Sequence, residues 1–125
     1  MDIILADHHP KPRWALKAML DEQPGFDLIG EAEDSQGLLA LAEQHPADLI
    51  LIDDDLPDLY LEDLIARLHA IEPKPIVIVM SSEFSNSRMV LKAGADAFVS
   101  KADHPDWLLE TLQKYENRVK KDNTS

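Results

Sequence analysis

Short apolar runs alternate with segments of helical periodicity along the whole chain. The runs are mostly continuous, which is typical of strands covered on both faces of a parallel sheet. They stand at residues 2–6, 26–33, 48–52, 76–80 and 97–100. Between them, apolar residues recur at spacings of three and four, the period of an amphipathic helix. The pattern predicts five strands, each followed by a helix.

The helical segments carry residues that commonly begin or line a helix. Pro10 and Pro12 stand where the first helix is expected to begin, and Asp34 is placed to cap the second. The third has an i, i+3, i+4, i+7 stripe made of Leu61, Leu64, Ile65 and Leu68.

Three aromatic residues fall within the predicted helices. They are Trp14, Trp107 and Tyr115. Aromatic side chains commonly fill the seam between a helix and its neighbour. We expect all three to pack helices.

Strict alternation of strand and helix with short connections predicts one parallel sheet, because right-handed crossovers return each strand parallel to the last. The expected fold is an open, doubly wound α/β domain. With 125 residues, of which 45% are hydrophobic, the chain can bury one sizeable core. We predict a single domain over residues 1–120, with 121–125 a polar tail or the start of a linker.

The charge of the chain restricts its partners. Twenty-four acidic and 12 basic residues give a net charge of −12, which repels nucleic-acid phosphates and anionic lipids. We therefore expect neither direct nucleic-acid binding nor membrane binding. The sequence has no cysteine, and no apolar run approaches the roughly 18 residues of a membrane span. The expected location is the cytoplasm.

Polar residues follow the predicted strands at the edge where such sheets bind ligands, outside the carboxyl ends of the strands. Strand one ends in Asp7-His8-His9, strand three in Asp53-Asp54-Asp55, strand four in Ser81-Ser82 and strand five in Ser100-Lys101. If strands one and three are neighbours, their carboxylates converge on one crevice. That arrangement predicts a site for a hard, oxygen-preferring cation.

The alternation of side chains along a strand selects one of the three consecutive aspartates. If Asp53 points into the crevice, its successor points elsewhere and the third lies in the loop. A carboxylate beside a metal ion can attack a phosphoryl group to give an aspartyl phosphate. Ser81 is then placed to donate a hydrogen bond to a phosphoryl oxygen, and Lys101 to pair with another.

Four short motifs, in this order, resemble the receiver domain of bacterial two-component response regulators. They are "ADHHP" (6–10), "LIDDDLP" (51–57), "VMSS" (79–82) and "FVSKA" (98–102). The resemblance covers residues 2 to about 118, and "ILADHHP" is similar to the opening of LuxR/NarL-type receivers. It implies a flavodoxin-like (βα)5 fold with a five-stranded parallel sheet in the order 2-1-3-4-5.

The resemblance also assigns roles in phosphorylation. It makes Asp53 the phosphoacceptor, Lys101 the phosphate-binding lysine and Ser81 the switch hydroxyl, while Phe98 matches the aromatic switch position. A histidine kinase, a phosphotransfer protein or a small phosphodonor would supply the phosphoryl group. The domain would catalyse only its own phosphoryl transfer and aspartyl-phosphate hydrolysis, and the change at Asp53 would shift a two-state equilibrium.

For the metal, the resemblance implies Mg²⁺ held by Asp7, Asp53 and the backbone carbonyl of Asp55. His8 stands where the family has its second acidic ligand. Because imidazole suits borderline transition metals, either Mg²⁺ binds weakly or the preference moves toward Mn²⁺, Zn²⁺ or no metal. Ala102 follows the lysine where the family often has a cis proline, so we expect a trans bond there.

Two further classes stay open at this point. A degenerate pseudo-receiver would keep the fold and bind partners without phosphorylation, and His8 is the feature that favours it. A metal-dependent phosphoesterase would need more His and Asp ligands than the sequence offers at one place. The prediction also leaves homodimerisation open. We expect no helix-turn-helix output domain within these 125 residues, although such a domain, joined to this one, would bind DNA.

Overall fold

The computed structural model describes residues 1–101 and 105–123. The strands are β1 (Asp2–Ala6), β2 (Asp27–Ala32), β3 (Leu49–Asp53), β4 (Ile76–Ser81) and β5 (Ala97–Ser100). The helices are α1 (Pro10–Asp21), α2 (Ser35–Gln44), α3 (Leu61–His69), α4 (Ser87–Lys92) and α5 (Pro105–Asn123), and a 3-10 turn spans Phe84–Asn86. The predicted alternation of five strands and five helices is confirmed.

All five strands lie parallel in one sheet, in the order β2-β1-β3-β4-β5. This is the predicted doubly wound order, with β3 at the centre. Ala6 of β1 pairs with Ile52 of β3, and Asp53 pairs with Met80 of β4. The carboxyl ends of the three central strands are therefore adjacent, which brings the polar residues that follow them to one edge.

Each face of the sheet has its own hydrophobic core. Alternate strand residues such as Ile4 and Ile52 pack with α2, α3 and α4, whereas Ile3 and Leu51 point to the opposite side and pack with α1 and α5. Every residue of β3 is buried. Continuous apolar strands are therefore needed, since both faces of the sheet are covered.

The ends of the helices follow simple chemistry. The Asp34 side chain accepts a hydrogen bond of 2.6 Å from the backbone N–H of Gly37, which confirms the predicted cap of α2. Pro10 begins α1. After α4 the chain turns at Gly94, whose φ of +115° is strained for any residue with a side chain.

The helix-packing role predicted for the two tryptophans is wrong. Trp14 is 76% exposed and Trp107 is 63% exposed. Trp14 lies two residues before the partly buried Leu16, which turns it about 200° away around the helix. Trp107 precedes the buried Leu108 by one position, so it points about 100° away from the buried face of its helix. Tyr115 does pack against the α1/α5 core, and its hydroxyl donates to the carbonyl of Asp96 at 3.2 Å.

Two other predictions concern the end of the chain and the bond that follows Lys101. Helix α5 continues to Asn123, so the boundary placed at residue 120 falls within a helix and stays a prediction. The Lys101–Ala102 bond lies outside the described residues. In the described part of the chain, no helix combines the length and the apolar character needed to cross a bilayer.

Candidate functional site

Two buried aspartates lie side by side at the carboxyl edge of the sheet. Asp7 directly follows β1 and has no exposed surface, and Asp53 is the last residue of β3 and is 3% exposed. Their positions result from the pairing of β1 with β3, which places the two strand ends next to each other. The structure thus brings together the two carboxylates that the sequence placed at one crevice.

Lys101 lies just beyond the edge strand β5, and its side chain contacts both carboxylates. Its Nζ lies 2.9 Å from Oδ2 of Asp7 and 2.7 Å from Oδ1 of Asp53. The backbone N–H of Lys101 donates to the carbonyl of Ser81 at 2.8 Å, which fixes the residue just beyond β5. The long side chain then reaches past β4 to the ends of β1 and β3.

The pocket contains one lysine for two buried carboxylates, and burial and pairing shift the pKa values of Asp53 and Lys101. The pKa of Asp53 is raised, chiefly because burial disfavours the charged form, and the bond from Lys101 only partly offsets this. Burial alone would lower the pKa of Lys101, but its bonds to Asp53 and Asp7 outweigh that effect and raise it. Lys101 therefore stays charged, and the pocket retains an excess of negative charge.

One carboxylate oxygen of this pocket has no hydrogen-bond partner. It is Oδ2 of Asp53, a buried atom whose sister oxygen is held by Lys101. Leaving a buried charged acceptor unsatisfied costs free energy. The unsatisfied oxygen is therefore the atom of the pocket that gains most from a cation or from a new covalent bond.

His9 is the histidine that faces the acidic pocket. Its Nε2 lies 3.2 Å from Oδ2 of Asp55 and 4.0 Å from Oδ2 of Asp53, and its backbone N–H donates to Oδ1 of Asp7 at 2.9 Å. His8, which takes the sequence position of the family's second acid, is exposed and lies outside this group.

The residues present fit a divalent cation. One ligand atom each from Asp7, His9 and Asp53 lies within 4.8 Å of the others. Two buried carboxylates that share one lysine favour a cation at this point. Two oxygen donors and one imidazole form a donor set that Mn²⁺ or Zn²⁺ accepts more readily than Mg²⁺ does.

Ser81 lies buried at the end of β4 and accepts two hydrogen bonds. The backbone N–H of Glu83 donates to its Oγ at 3.1 Å, and Nδ2 of Asn86 donates at 3.2 Å. The same Nδ2 donates to Oδ2 of Asp54 at 3.2 Å. The hydroxyl is thus connected, through Asn86, to the residue that follows Asp53.

Two further residues were predicted for the site, Phe98 and Asp55. Phe98, on β5, is partly buried and packs against the core formed with α2 and α3. The side chain of Asp55 is 73% exposed and contacts His9. The role that the resemblance implies for Asp55, through its backbone carbonyl, stays a prediction.

Sequence reasoning assigned no role to three residues of the site. His9 and Asn86 lie in turns, where strand alternation no longer predicts direction. Arg13, on α1, donates from Nη1 to the carbonyl of Asp7 at 3.0 Å and is itself paired with Glu31 and Glu33. One signal was available for Arg13: it stands one turn into a helix that begins directly after the acidic strand end.

Comparison with known proteins gives a consistent result. Residues 3–113 match the family model described as the response regulator receiver domain. The nitrate/nitrite response regulator NarL of Escherichia coli is 29% identical over 114 residues, which are 90% of this chain and 53% of NarL. DegU of Brevibacillus brevis, a transcriptional regulatory protein, is 28% identical over 117 residues, covering 90% of this chain and 49% of DegU.

Solved structures show the same fold. The receiver domain of AraT, a response regulator from Geobacillus stearothermophilus, superposes with a TM-score of 0.85 at 22% identity, covering 98% of this chain and 97% of that one. RcsB of Salmonella enterica serovar Typhimurium, bound to a promoter, superposes with a TM-score of 0.83 at 23% identity, covering 94% and 60%.

The chain spans about half the length of the curated relatives described above. The match to the family model covers most of the chain, and the strand order and the polar strand ends agree with it. The chain therefore belongs to the response regulator receiver domain family, the signal-receiving part of two-component systems.

Proposed function

We propose that Asp53 accepts a phosphoryl group from a histidine kinase, a phosphotransfer protein or a small phosphodonor. The observation that carries this proposal is the state of its carboxylate. Oδ1 is held by Lys101 at 2.7 Å, whereas Oδ2 is buried without a hydrogen bond. The side chain is fixed by one oxygen and has the other oxygen available as a nucleophile.

In the proposed step, a lone pair of Asp53 Oδ2 attacks the phosphorus of the donor. An oxygen–phosphorus bond forms, the bond from phosphorus to the donor's leaving atom breaks, and its electron pair departs with that atom. Lys101, already in contact with both carboxylates, pairs with an oxygen of the transferred group. Attack of water on the phosphorus later breaks the bond between phosphorus and Oδ2, which restores the carboxylate and releases inorganic phosphate.

Asp7, Asp53 and His9 would hold a divalent cation, together with the backbone carbonyl that the family resemblance assigns to Asp55. When bound, such a cation offsets the negative charge of the phosphoryl oxygens. The imidazole of His9 supports a preference for Mn²⁺ or Zn²⁺ over Mg²⁺, and His8 supplies no ligand in this proposal.

Phosphorylation replaces the single charge of Asp53 with a group that carries more negative charge and three acceptor oxygens. Ser81 and Phe98 respond to that change, and the population shifts toward a second conformation with a different interaction surface. Relatives such as RcsB bind promoter DNA. Since those proteins are longer, we assign DNA binding to an output domain joined to a receiver, and not to this strongly acidic chain.

Intact-mass analysis after incubation with acetyl phosphate tests the proposal. The protein is treated with Mg²⁺, with Mn²⁺ and without metal, beside an Asp53→Asn control. A gain of one phosphoryl group that the control lacks supports Asp53 as the acceptor, and the gain should be fastest with Mn²⁺. No gain under any condition, in protein shown to be folded, rejects the proposal and leaves a pseudo-receiver that binds partners without phosphorylation.

A further inference from the structure

A polar bridge connects the loop after β3 with the loop after β4. Its centre is Asn86, whose Nδ2 lies 3.2 Å from Oδ2 of Asp54 and 3.2 Å from Oγ of Ser81. An ionised carboxylate can only accept hydrogen bonds, so the group of Asn86 that faces Asp54 must be its NH₂. The same NH₂ then donates its second proton to Ser81. Asp54 thereby fixes which way round the amide lies.

The bridge determines what the Ser81 hydroxyl can do. A hydroxyl has two acceptor positions and one proton to donate. Both acceptor positions of Ser81 are filled, one by the backbone N–H of Glu83 at 3.1 Å and one by Asn86. The hydroxyl is also buried. Its own proton is the one group it still has to offer.

We propose that Asn86 is a positioning residue that orients the Ser81 hydroxyl as a donor for the phosphoryl group on Asp53. The inference rests on the proposed function. Phosphoryl oxygens only accept hydrogen bonds, so a hydroxyl already restricted to donating needs no reorientation when the group arrives. Asp54 acts indirectly, because its carboxylate accepts a hydrogen bond from the amide of Asn86 and so fixes the orientation of that amide.

The inference also explains why three carboxylates stand in a row. Asp53 is the acceptor of the phosphoryl group, Asp54 holds Asn86, and Asp55 contacts His9. Each carboxylate has a separate partner, and consecutive residues reach those partners because their side chains point in different directions. The repulsion between adjacent charges is offset by three distinct contacts.

A charge swap separates positioning from simple structural support. In the double variant Asp54→Asn, Asn86→Asp, the amide at position 54 donates to the carboxylate at position 86, so the contact between the loops is kept. The carboxylate at position 86 now accepts from Ser81, which turns the hydroxyl proton away from the phosphoryl group. We expect a melting temperature near that of the wild type and a rate of phosphorylation by acetyl phosphate about tenfold lower.

Two controls accompany the swap. Ser82→Ala removes the exposed neighbouring hydroxyl and should leave both the rate and the melting temperature unchanged. In a Ser81→Ala background, the swap should reduce the rate no further, because its effect passes through that hydroxyl. If the double variant instead phosphorylates at the wild-type rate and has the wild-type melting temperature, Asn86 has only a structural role and the inference is overturned.

A second readout does not depend on phosphorylation. The two side-chain amide protons of Asn86 are observed by ¹H–¹⁵N correlation spectroscopy. We expect Ser81→Ala to shift one proton and Asp54→Ala to shift the other, each toward the position of a solvent-exposed amide. If neither moves, the bridge is absent and the inference fails whatever the phosphorylation rate. If both move but the wild type gains no phosphoryl group, the proposed function fails, and the role of Asn86 fails with it.

Discussion

Two aspartates at opposite edges of the sheet show how differently one residue type is used. Asp53, at the carboxyl edge, is buried, has one oxygen without a hydrogen bond and shares its lysine with a second carboxylate. Asp96 lies at the amino edge, beside β4 and β5, and its Oδ2 has two partners. Its Oδ2 accepts from the N–H of Val77 at 2.8 Å and contacts Nε2 of His69 at 2.9 Å.

The backbone of Asp96 is equally engaged. Its N–H donates to the carbonyl of Val77 at 2.8 Å, and its carbonyl accepts from the hydroxyl of Tyr115 at 3.2 Å. A carboxylate whose hydrogen bonds are made stabilises the fold. A buried carboxylate oxygen without a hydrogen bond destabilises the fold, and binding a cation or forming a covalent bond removes that destabilisation. The difference teaches that the functional aspartate is identified by the contact that it lacks.

The largest effect on stability should come from removing the lysine that Asp7 and Asp53 share. Lys101→Met leaves Asp7 and Asp53 buried without their counter-ion, and we expect the free energy of unfolding at pH 7 to fall by about 3 kcal/mol. Urea denaturation measures this. The loss should shrink as the pH is lowered and the carboxylates become protonated; an equal loss at every pH would show that the variant has damaged packing instead.

Truncating the satisfied aspartate should have the next largest effect. Asp96→Ala leaves the N–H of Val77 without its side-chain acceptor and removes the partner of His69. We expect the free energy of unfolding to fall by about 2 kcal/mol, with little change in the rate of phosphorylation. Urea denaturation and the acetyl phosphate assay test the two parts. A large loss of phosphorylation in folded protein would contradict the division between the two edges.

The unsatisfied aspartate should behave in the opposite way. Asp53→Asn removes a buried charge and keeps an acceptor for Lys101, so we expect a gain of about 1 kcal/mol in the free energy of unfolding at pH 7. Because the folded pKa of Asp53 is raised, its favourable contribution is complete below the ordinary value of 3.8 and is lost as the pH rises through the folded pKa.

The advantage of Asp53→Asn should therefore be absent in acid and grow as the pH rises through that window. Urea denaturation from acidic to neutral pH measures it. The opposite trend, with the variant losing stability toward neutral pH, would mean that Lys101 lowers the pKa of Asp53 overall and that the pocket has no excess of negative charge.

The smallest effect is expected at the edge of the Asp96 cluster. His69, the last residue of α3, is 19% exposed, and its Nε2 lies 2.9 Å from Oδ2 of Asp96. His69→Gln should lower the free energy of unfolding by about 0.5 kcal/mol, because Asp96 retains the N–H of Val77. Thermal unfolding beside the Asp96→Ala variant measures it. A loss as large as that of Asp96→Ala would show that the histidine holds the whole cluster.

Most of the fold could be predicted from the sequence, because it depends on properties that a linear pattern contains. The continuous apolar run of β3 predicted a strand covered on both faces, and the alternation of strands and helices predicted a parallel sheet with polar residues at one edge. Asp7, Asp53 and Lys101 were predicted at that edge, and the structure places them in contact.

The remaining features depend on turns and on helix rotation. Strand alternation ends at Ala6, so no pattern distinguishes His8 from His9, and the turn that follows is what directs His9 to the pocket. Asn86 lies in a 3-10 turn, which has no periodic signature of its own. Trp14 shows the complementary error, since a large apolar side chain does not by itself indicate a buried helix face.

The position of Lys101 connects the edge strand β5 with the charges at the centre of the sheet. Strand β5 has four residues and pairs only with β4 in the described sheet, yet the lysine just beyond it neutralises charge at β1 and β3. Local opening of β5 therefore removes the counter-ion from both aspartates at once. Because Lys101 contacts these carboxylates only while β5 is in place, we expect hydrogen exchange at the Val99 amide to become faster when Asp53, two strands away, loses its charge.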